Sequence, residues 1–174
     1  PMEDVGQFDF IWVRFVLEYF SKEAHDIVAT LARNLKPQGR LCLLDLDHNA
    51  LNHYHLPPAM EQVIKAGMDY VARTHNFDPY AGRKLYAHMY DLGYRDIGMH
   101  MVAHHLIYGE LLPQDAFNWE RKMKMWTSLA RDIFAGYPGG IDGFMKDFDV
   151  IAHDPRRFTY TPMIICHGLK PDRI

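Results

Sequence analysis

The sequence is poor in several of the features that would assign it quickly. Only two cysteines occur in 174 residues, Cys42 and Cys166, too few for a disulfide framework. Both lie inside apolar runs, where a free thiol packs as a small hydrophobe, and a reducing cytoplasm is the expected location. No basic surplus exists: 19 Lys and Arg stand against 22 Asp and Glu, a net charge of -3, so a polyanion gains no general attraction and no nucleic acid partner is expected. No apolar stretch approaches the ~20 residues of a membrane helix. The opening Pro1 to Gln7 is acidic and polar, unlike a secretory signal, so a soluble chain with no membrane partner is expected. There is no internal repeat, low-complexity tract or linker, and residues 1–174 read as a single domain. With 48% hydrophobic and 13% aromatic residues, the chain has the material for a sizeable core.

What is present is an alternation of strand and helix signals. Phe8 to Leu17 (FDFIWVRFVL) begins almost at once and is apolar on both faces, the pattern of a strand inside a sheet. Ser21 is placed to cap a helix in which Ala24, Ile27, Val28, Leu31, Ala32 and Leu35 recur at helical spacing. Pro37 and Gly39 are expected to stop it, and Arg40 to Asp45 (RLCLLD) is a second short apolar run. Two buried strands joined by one packed helix imply a parallel pair with a right-handed crossover, and hence an α/β sheet.

A polar loop, Asp47 to Leu56, leads to a helix from about Pro57 with Met60, Val63, Ile64, Gly67 and Val71 on one face. A further helix is expected from about Tyr80 to Leu92, ended by Gly93 in a left-handed conformation. Arg95 to Ala103 then alternates, with Ile97, Met99, Met101 and Ala103 on one side of a half-exposed strand. A long helix from about Asp115 to Phe134 groups Trp119, Met123, Trp126, Ala130 and Ile133. The turn Gly136 to Gly140 separates it from a shorter helix ending near Ala152, and Met163 to Gly168 (MIICHG) is the last strand.

This order of elements resembles the second half of the class I S-adenosylmethionine-dependent methyltransferases. FDFIWVRFVLEYF is similar to that family's fourth strand and following loop, often FD, apolar residues, then VLEH; Tyr19 stands where His is frequent. NLKPQGRLCLLDLD resembles the segment "LKPGG, apolar strand, acid", with Gln38 where a second Gly is usual. LYAHMYDLGYRDI resembles the helix with an LGF ending that precedes the late strands. The resemblance implies a partial Rossmann-like sheet of the last four strands, in the order fourth, fifth, seventh, sixth, with the final strand antiparallel. The extra helices would form an insertion over about 113–155. It also implies that the glycine-rich loop and the ribose- and adenine-binding acids, which hold most of the cofactor, belong to elements upstream of those seen here.

The activity implied is methyl transfer from S-adenosylmethionine to a small-molecule substrate. Open α/β sheets bind ligands beyond the carboxyl ends of their strands. By resemblance, Val13, Arg14 and Phe15 border the methionine part of the cofactor and Met2 lies near the adenine. Asp47 and His48 follow the next strand, where the family places substrate-facing groups; His48 has a proton affinity suited to a base and Asp47 is placed to orient it. Each has a plainer alternative: Arg14 as an ordinary snorkelling or ion-paired residue, His48 as a loop residue, Trp119 and Trp126 as core.

Two other functions compete. The eleven histidines, among them His53, His55, His100, His104 and His105, suggest a His-rich metal-binding domain, although no Cys or HExxH pattern fixes a geometry. A non-enzymatic interaction module is the other. Finally, a flat apolar strand edge with few charges invites pairing with another chain. A homodimer through Phe8, Phe10, Ile11 and Trp12 is therefore expected.

Overall fold

A computed structural model of the chain describes residues 5–171; Met2, expected near the adenine, lies outside them. The described elements are β1 (Phe8–Arg14), α1 (Ala24–Arg33), β2 (Leu35–Leu46), α2 (Pro58–Thr74), α3 (Leu85–Asp91), β3 (Arg95–Tyr108), α4 (Pro113–Leu129), α5 (Gly140–Ala152) and β4 (Phe158–Leu169). The described chain divides into two compact units, one of residues 5–49, 76–103 and 162–171, the other of residues 50–75 and 104–161.

The first unit is organised by the β1–α1–β2 segment. β1 pairs parallel with β2, from Phe8 opposite Leu35 to Arg14 opposite Leu44, and β4 pairs antiparallel with β2 from Leu169 to Met163. The strand order is β1-β2-β4-β3, which is the order and the antiparallel last strand that the sequence resemblance implied. One face of α1 (Ala24, Val28, Leu31, Ala32) packs with Leu35, Leu41 and Leu43 of β2 and Leu85 and Met89 of α3 into one buried cluster. Each Val, Leu or Met side chain of the cluster contributes roughly 1.5–3 kcal/mol on burial. Among the described strands β1 stands at the end of the sheet, with Phe8, Phe10 and Trp12 exposed at 44%, 55% and 59%, while Ile11 and Val13 pack against the core.

Several local expectations are corrected. Ser21 does not cap α1: the position before the helix is Glu23, and no side chain caps it. The entry is held instead by Asn76, whose carbonyl accepts from Ser21 N (3.0 Å) and whose Oδ1 accepts from Lys22 N (3.0 Å). A distant residue thus fixes the turn that leads into the helix, while the first-turn N–H groups of α1 have no side-chain cap. The helix ends at Arg33, and Pro37 and Gly39 lie inside β2 rather than at the helix stop. The expected helix over 80–92 opens with a 3-10 turn, Gly82–Lys84, before α3. The alternation read in β3 does not give a buried face at Met99 and Met101, which are 42% and 71% exposed. Gly93 is left-handed, φ 72°, as expected of a helix terminator.

The second unit is built on aromatic packing. α2 presents Met60, Val63, Ile64, Met68 and Val71, all buried. The helix expected over 115–134 is two elements: α4 ends at Leu129 and a 3-10 helix, Arg131–Gly136, follows. Phe134 meets Trp126 at 4.9 Å between ring centres and Phe144 at 4.9 Å, both edge-to-face, the arrangement aromatic quadrupoles favour. Trp119 and Trp126 are buried, the core reading of the sequence. A Cβ at Gly67 would collide with the indole of Trp126, so α2 needs its glycine there to approach α4.

Gln38 takes the left-handed backbone, φ 61°, at the position where the family pattern has glycine. A side chain there costs roughly 1–2 kcal/mol, against about 0.5–1 kcal/mol of extra chain entropy for glycine. Gln38→Gly is therefore expected to raise stability by up to about 1 kcal/mol in urea denaturation; a clear loss would show that the Gln38 side chain contributes packing of its own.

Candidate active site at the ends of the parallel strands

The carboxyl ends of β1 and β2 carry the expected residues, and the backbone changes hand just beyond each strand. Phe15 has φ 54° and His48 φ 53°. Left-handed backbone is unfavourable for residues with a Cβ and persists where the surroundings enforce it. Phe15 N donates to Leu44 O at 2.9 Å, extending the pairing past β1, and Asp47 N donates to Pro162 O at 2.9 Å, tying β2's exit to the segment entering the last stretch of β4. Val13 pairs with Leu43 and is half-buried. Arg14 is exposed, its guanidinium 4.4 Å from the centre of the Phe15 ring.

Asp47 is held by an arginine that sequence reading passed over. Arg83 donates through Nε and Nη2 to the two Asp47 oxygens, each at 2.8 Å, a two-pronged pair of the kind that fixes a carboxylate's orientation. The Asp47 side chain is 14% exposed and that of Arg83 54%. The same guanidinium lies 4.6 Å from the centre of the Tyr80 ring, and Tyr80 meets the His48 imidazole edge-to-face at 5.1 Å. Asp47, Arg83, Tyr80 and His48 thus form one run of contacts. Gly82 makes it possible: a Cβ there would stand 3.1 Å from Asp45 O, 3.1 Å from Asp47 Cβ and 2.8 Å from Ile164 Cγ1, so a larger residue would push Arg83 off Asp47.

Beneath this surface lies a buried polar network. Asp45 is fully buried and Glu18 is 2% exposed. Asp45 accepts from Glu18 N (3.2 Å) and Leu46 N (3.0 Å), and Glu18 accepts from the Asn49 amide (3.2 Å). Asp78 N donates to Glu18 O at 2.7 Å, and the Asp78 carboxylate takes Lys84 Nζ and Tyr80 N. Burial pushes the Asp45 carboxyl up to about 6; its backbone donors oppose this, and neighbouring Asp78 adds to it. Burial, then Glu18 and Asp45, raises the Tyr19 phenol.

Glu18 and Asp45 had a signal in the sequence, as acids set among apolar residues in VLEYF and LLDLD. Asp78, Tyr80 and Arg83 had none, because only the fold carries the 76–84 segment to the strand ends.

The histidines do not assemble. His53 is held in the second unit, Nε2 donating to Ala50 O (3.0 Å) and Nδ1 accepting from the Thr159 hydroxyl (2.9 Å), and burial lowers it to about 4. His100 stacks on His167 in the first unit. Among the described residues no group of three or more His, Cys, Asp or Glu is placed to hold a metal ion. Among them, too, no helix is long and apolar enough to cross a membrane.

Comparison with known proteins falls on the same elements. Residues 1–43 match a family model described as a methyltransferase domain. No curated protein matches the chain. Among solved structures, the YcgJ protein from Bacillus subtilis matches with a TM-score of 0.50 and 14% identity, covering 95% of this chain and 64% of that one. A methyltransferase-like protein from Bacillus halodurans matches at 0.46 with 12% identity, covering 95% and 65%. Phosphoethanolamine N-methyltransferase 2 from Haemonchus contortus, solved with phosphomonomethylethanolamine and S-adenosylhomocysteine, matches at 0.45 with 15% identity, covering 94% and 34%. The chain spans less than two thirds of the length of each. Its mixed α/β sheet is similar to the Rossmann-like sheet of methyltransferase folds, the class that the sequence motifs implied.

The raised Asp45 value has a measurable sign. The folded state keeps this proton to about pH 6, whereas the unfolded chain releases it near 3.8, so Asp45 makes stability fall as pH rises from about 4 to 6, by at most about 3 kcal/mol. His53, lowered from 6.5 to about 4, acts oppositely over that range, because acidification favours the unfolded state that accepts its proton. Asp45→Asn removes only the first effect. Urea denaturation at pH 4.5 and 7.5 should show the variant gaining on the wild type by about 2 kcal/mol at the higher pH; a difference that does not change with pH would place the Asp45 ionisation elsewhere.

Proposed function

We propose that this chain is part of an S-adenosylmethionine-dependent methyltransferase acting on a small-molecule substrate, with its site beyond the ends of β1 and β2. The observation that carries this reading is the pair of left-handed residues, Phe15 and His48, immediately past two adjacent parallel strands. Backbone strain concentrates where a function demands a fixed geometry, and strand ends are where sheets of this kind take ligands.

The residues present suit a cofactor with a zwitterionic methionine end: the exposed Arg14 guanidinium offers charge for a carboxylate, and Val13 and Phe15 offer apolar contact on either side. S-adenosylmethionine supplies an electrophilic methyl group on a positively charged sulfur. The role of this chain is then to hold the acceptor and remove its proton. His48 would be the base that takes the proton from the acceptor's nucleophilic atom. Tyr80 steadies the imidazole through its ring edge, and Asp47 locks Arg83 against Tyr80. Removing a positioned base of this type costs 10²–10⁴-fold in rate.

The test is methyl transfer from radiolabelled S-adenosylmethionine by the full product of the gene, assayed across amines, alcohols, thiols and activated carbons. His48→Asn should lower kcat by 10²-fold or more with KM for the cofactor little changed, and Arg14→Ala should raise that KM. Unchanged kinetics in both variants would remove the site from this surface. The 174-residue chain by itself should give no heat with S-adenosylmethionine in calorimetry, because Val13, Arg14 and Phe15 line one side of a ligand that must be enclosed; micromolar binding would overturn their assignment as a partial site.

The exposed apolar row on β1, Phe8, Phe10 and Trp12, supports a second reading, an interaction surface used by the chain for pairing with a second copy in the cytoplasm. An open strand edge with no proline or lysine along it is suited to such pairing. Sedimentation should give a dimer at micromolar concentration, and Trp12→Lys should return it to a monomer; a wild-type monomer would exclude the edge as a self-association site.

A further inference from the structure

Glu18 follows closely on β1 yet is withdrawn from water, at 2% exposure, and acids are seldom buried unless hydrogen bonds hold them. It lies in a single 3-10 turn, Leu17–Tyr19. Three bonds tie it to other segments of the first unit. Its N donates to Asp45 Oδ2 (3.2 Å), its carbonyl accepts from Asp78 N (2.7 Å), and its Oε2 accepts from the Asn49 side-chain amide (3.2 Å). The first two use backbone atoms that any residue supplies. The third needs the side chain. Tyr19 also hydrogen-bonds to the carboxylate, but this phenol is 56% exposed, so water can replace that bond. The Asn49 amide has less freedom, because Asn49 is 6% exposed.

Asn49 stands between two left-handed residues, His48 with φ 53° and Ala50 with φ 60°. Such backbone is unfavourable where a Cβ is present and persists only where neighbours over-determine it. The neighbours here are two segments. Asn49 N donates to Pro79 O at 3.1 Å, beside the Tyr80 ring that meets the His48 imidazole. The Asn49 side chain is held by Glu18 from the loop after β1. Without the Glu18 acceptor a buried amide loses a partner, and a buried donor left unmet costs more than the bond itself contributes. Swinging the turn toward water relieves that cost at the expense of the His48 geometry.

We propose that Glu18 is a positioning residue for His48. Its buried carboxylate fixes Asn49, and through Asn49 the left-handed turn that presents the imidazole, so that the loops after β1 and β2 are set together. This role rests on the reading of His48 as the base of methyl transfer.

Two readouts test it. In the isotope-labelled chain, the NMR backbone shifts of His48 report the left-handed turn; they should change in Glu18→Ala and persist in Glu18→Gln, whose amide oxygen still accepts from Asn49. The second readout is kinetic, in the full product of the gene with radiolabelled S-adenosylmethionine. The acceptor is whichever of the amines, alcohols, thiols and activated carbons turns over fastest. Glu18→Ala should lower kcat by about 10²-fold, the scale of a misaligned reacting group. KM for the cofactor should hold, because the backbone bonds to Asp45 and Asp78 remain. In the His48→Asn background the same substitution should cost at most about twofold more, since residues acting through one group are not additive. A general loosening of the fold would instead cost as much again. Should Glu18→Ala fail to fold by circular dichroism, Asn49→Ser serves in both readouts, its side chain being too short to reach Glu18. Unchanged His48 shifts in the folded variant, or a full second loss on top of His48→Asn, would overturn the positioning role and leave His48 as the base. Unchanged kcat in His48→Asn alone, or no turnover of any acceptor class by the wild type, would remove the base and this role with it.

Discussion

Parallel pairing of β1 with β2 across α1 is the constraint on which the first unit depends. Parallel strands cannot be joined by a tight turn, so the chain must cross over, and the apolar face of α1 supplies the surface that makes the crossing favourable. The same geometry sends both strands in one direction, and therefore delivers Arg14–Phe15 and Asp47–His48 beyond the same end of the sheet. The antiparallel seating of β4 on β2 then fixes β2 on its other side and ties Asp47 to Pro162.

The surface at that end rests on buried acids. Glu18, Asp45 and Asp78 are withdrawn from water and kept in place by backbone donors, the Asn49 amide and Lys84. Burying three carboxylates is costly unless each is hydrogen-bonded or neutralised, and the chain uses both means: Lys84 compensates Asp78, while Asp45 is held partly by retaining its proton to higher pH. The consequence is a stiff support. Arg83, Tyr80 and the left-handed turn at His48 are anchored to a network whose members cannot move singly without stranding a polar group.

The second unit obeys a different rule, with interlocked aromatic rings as its main source of order. Phe134 packs edge-to-face on both Trp126 and Phe144, which meet each other at a tilt, and Gly67 lets α2 come close enough to seal them. Arg157 is the exception in this apolar setting. Its Nε and Nη2 are anchored to the carbonyls of Ala152 and Gly109.

The apolar runs and their spacing determined the strand–helix–strand order, and Gly93 marked its turn, because periodicity and backbone permissiveness are local properties that a chain carries into any fold. The motifs FDFIWVRFVLEYF and NLKPQGRLCLLDLD were enough to indicate the sheet. Tertiary structure decided what local pattern could not. Ser21 does not cap α1; Asn76, from far along the chain, instead holds the turn before it by accepting from Ser21 N and Lys22 N. The long helix read over 115–134 broke at Ala130, where Phe134 enters the aromatic cluster. Arg83 reached Asp47 because folding brings the 76–84 segment to the strand ends, and whether an arginine meets a carboxylate, a carbonyl or nothing depends on partners far along the chain, which pattern within a window cannot see.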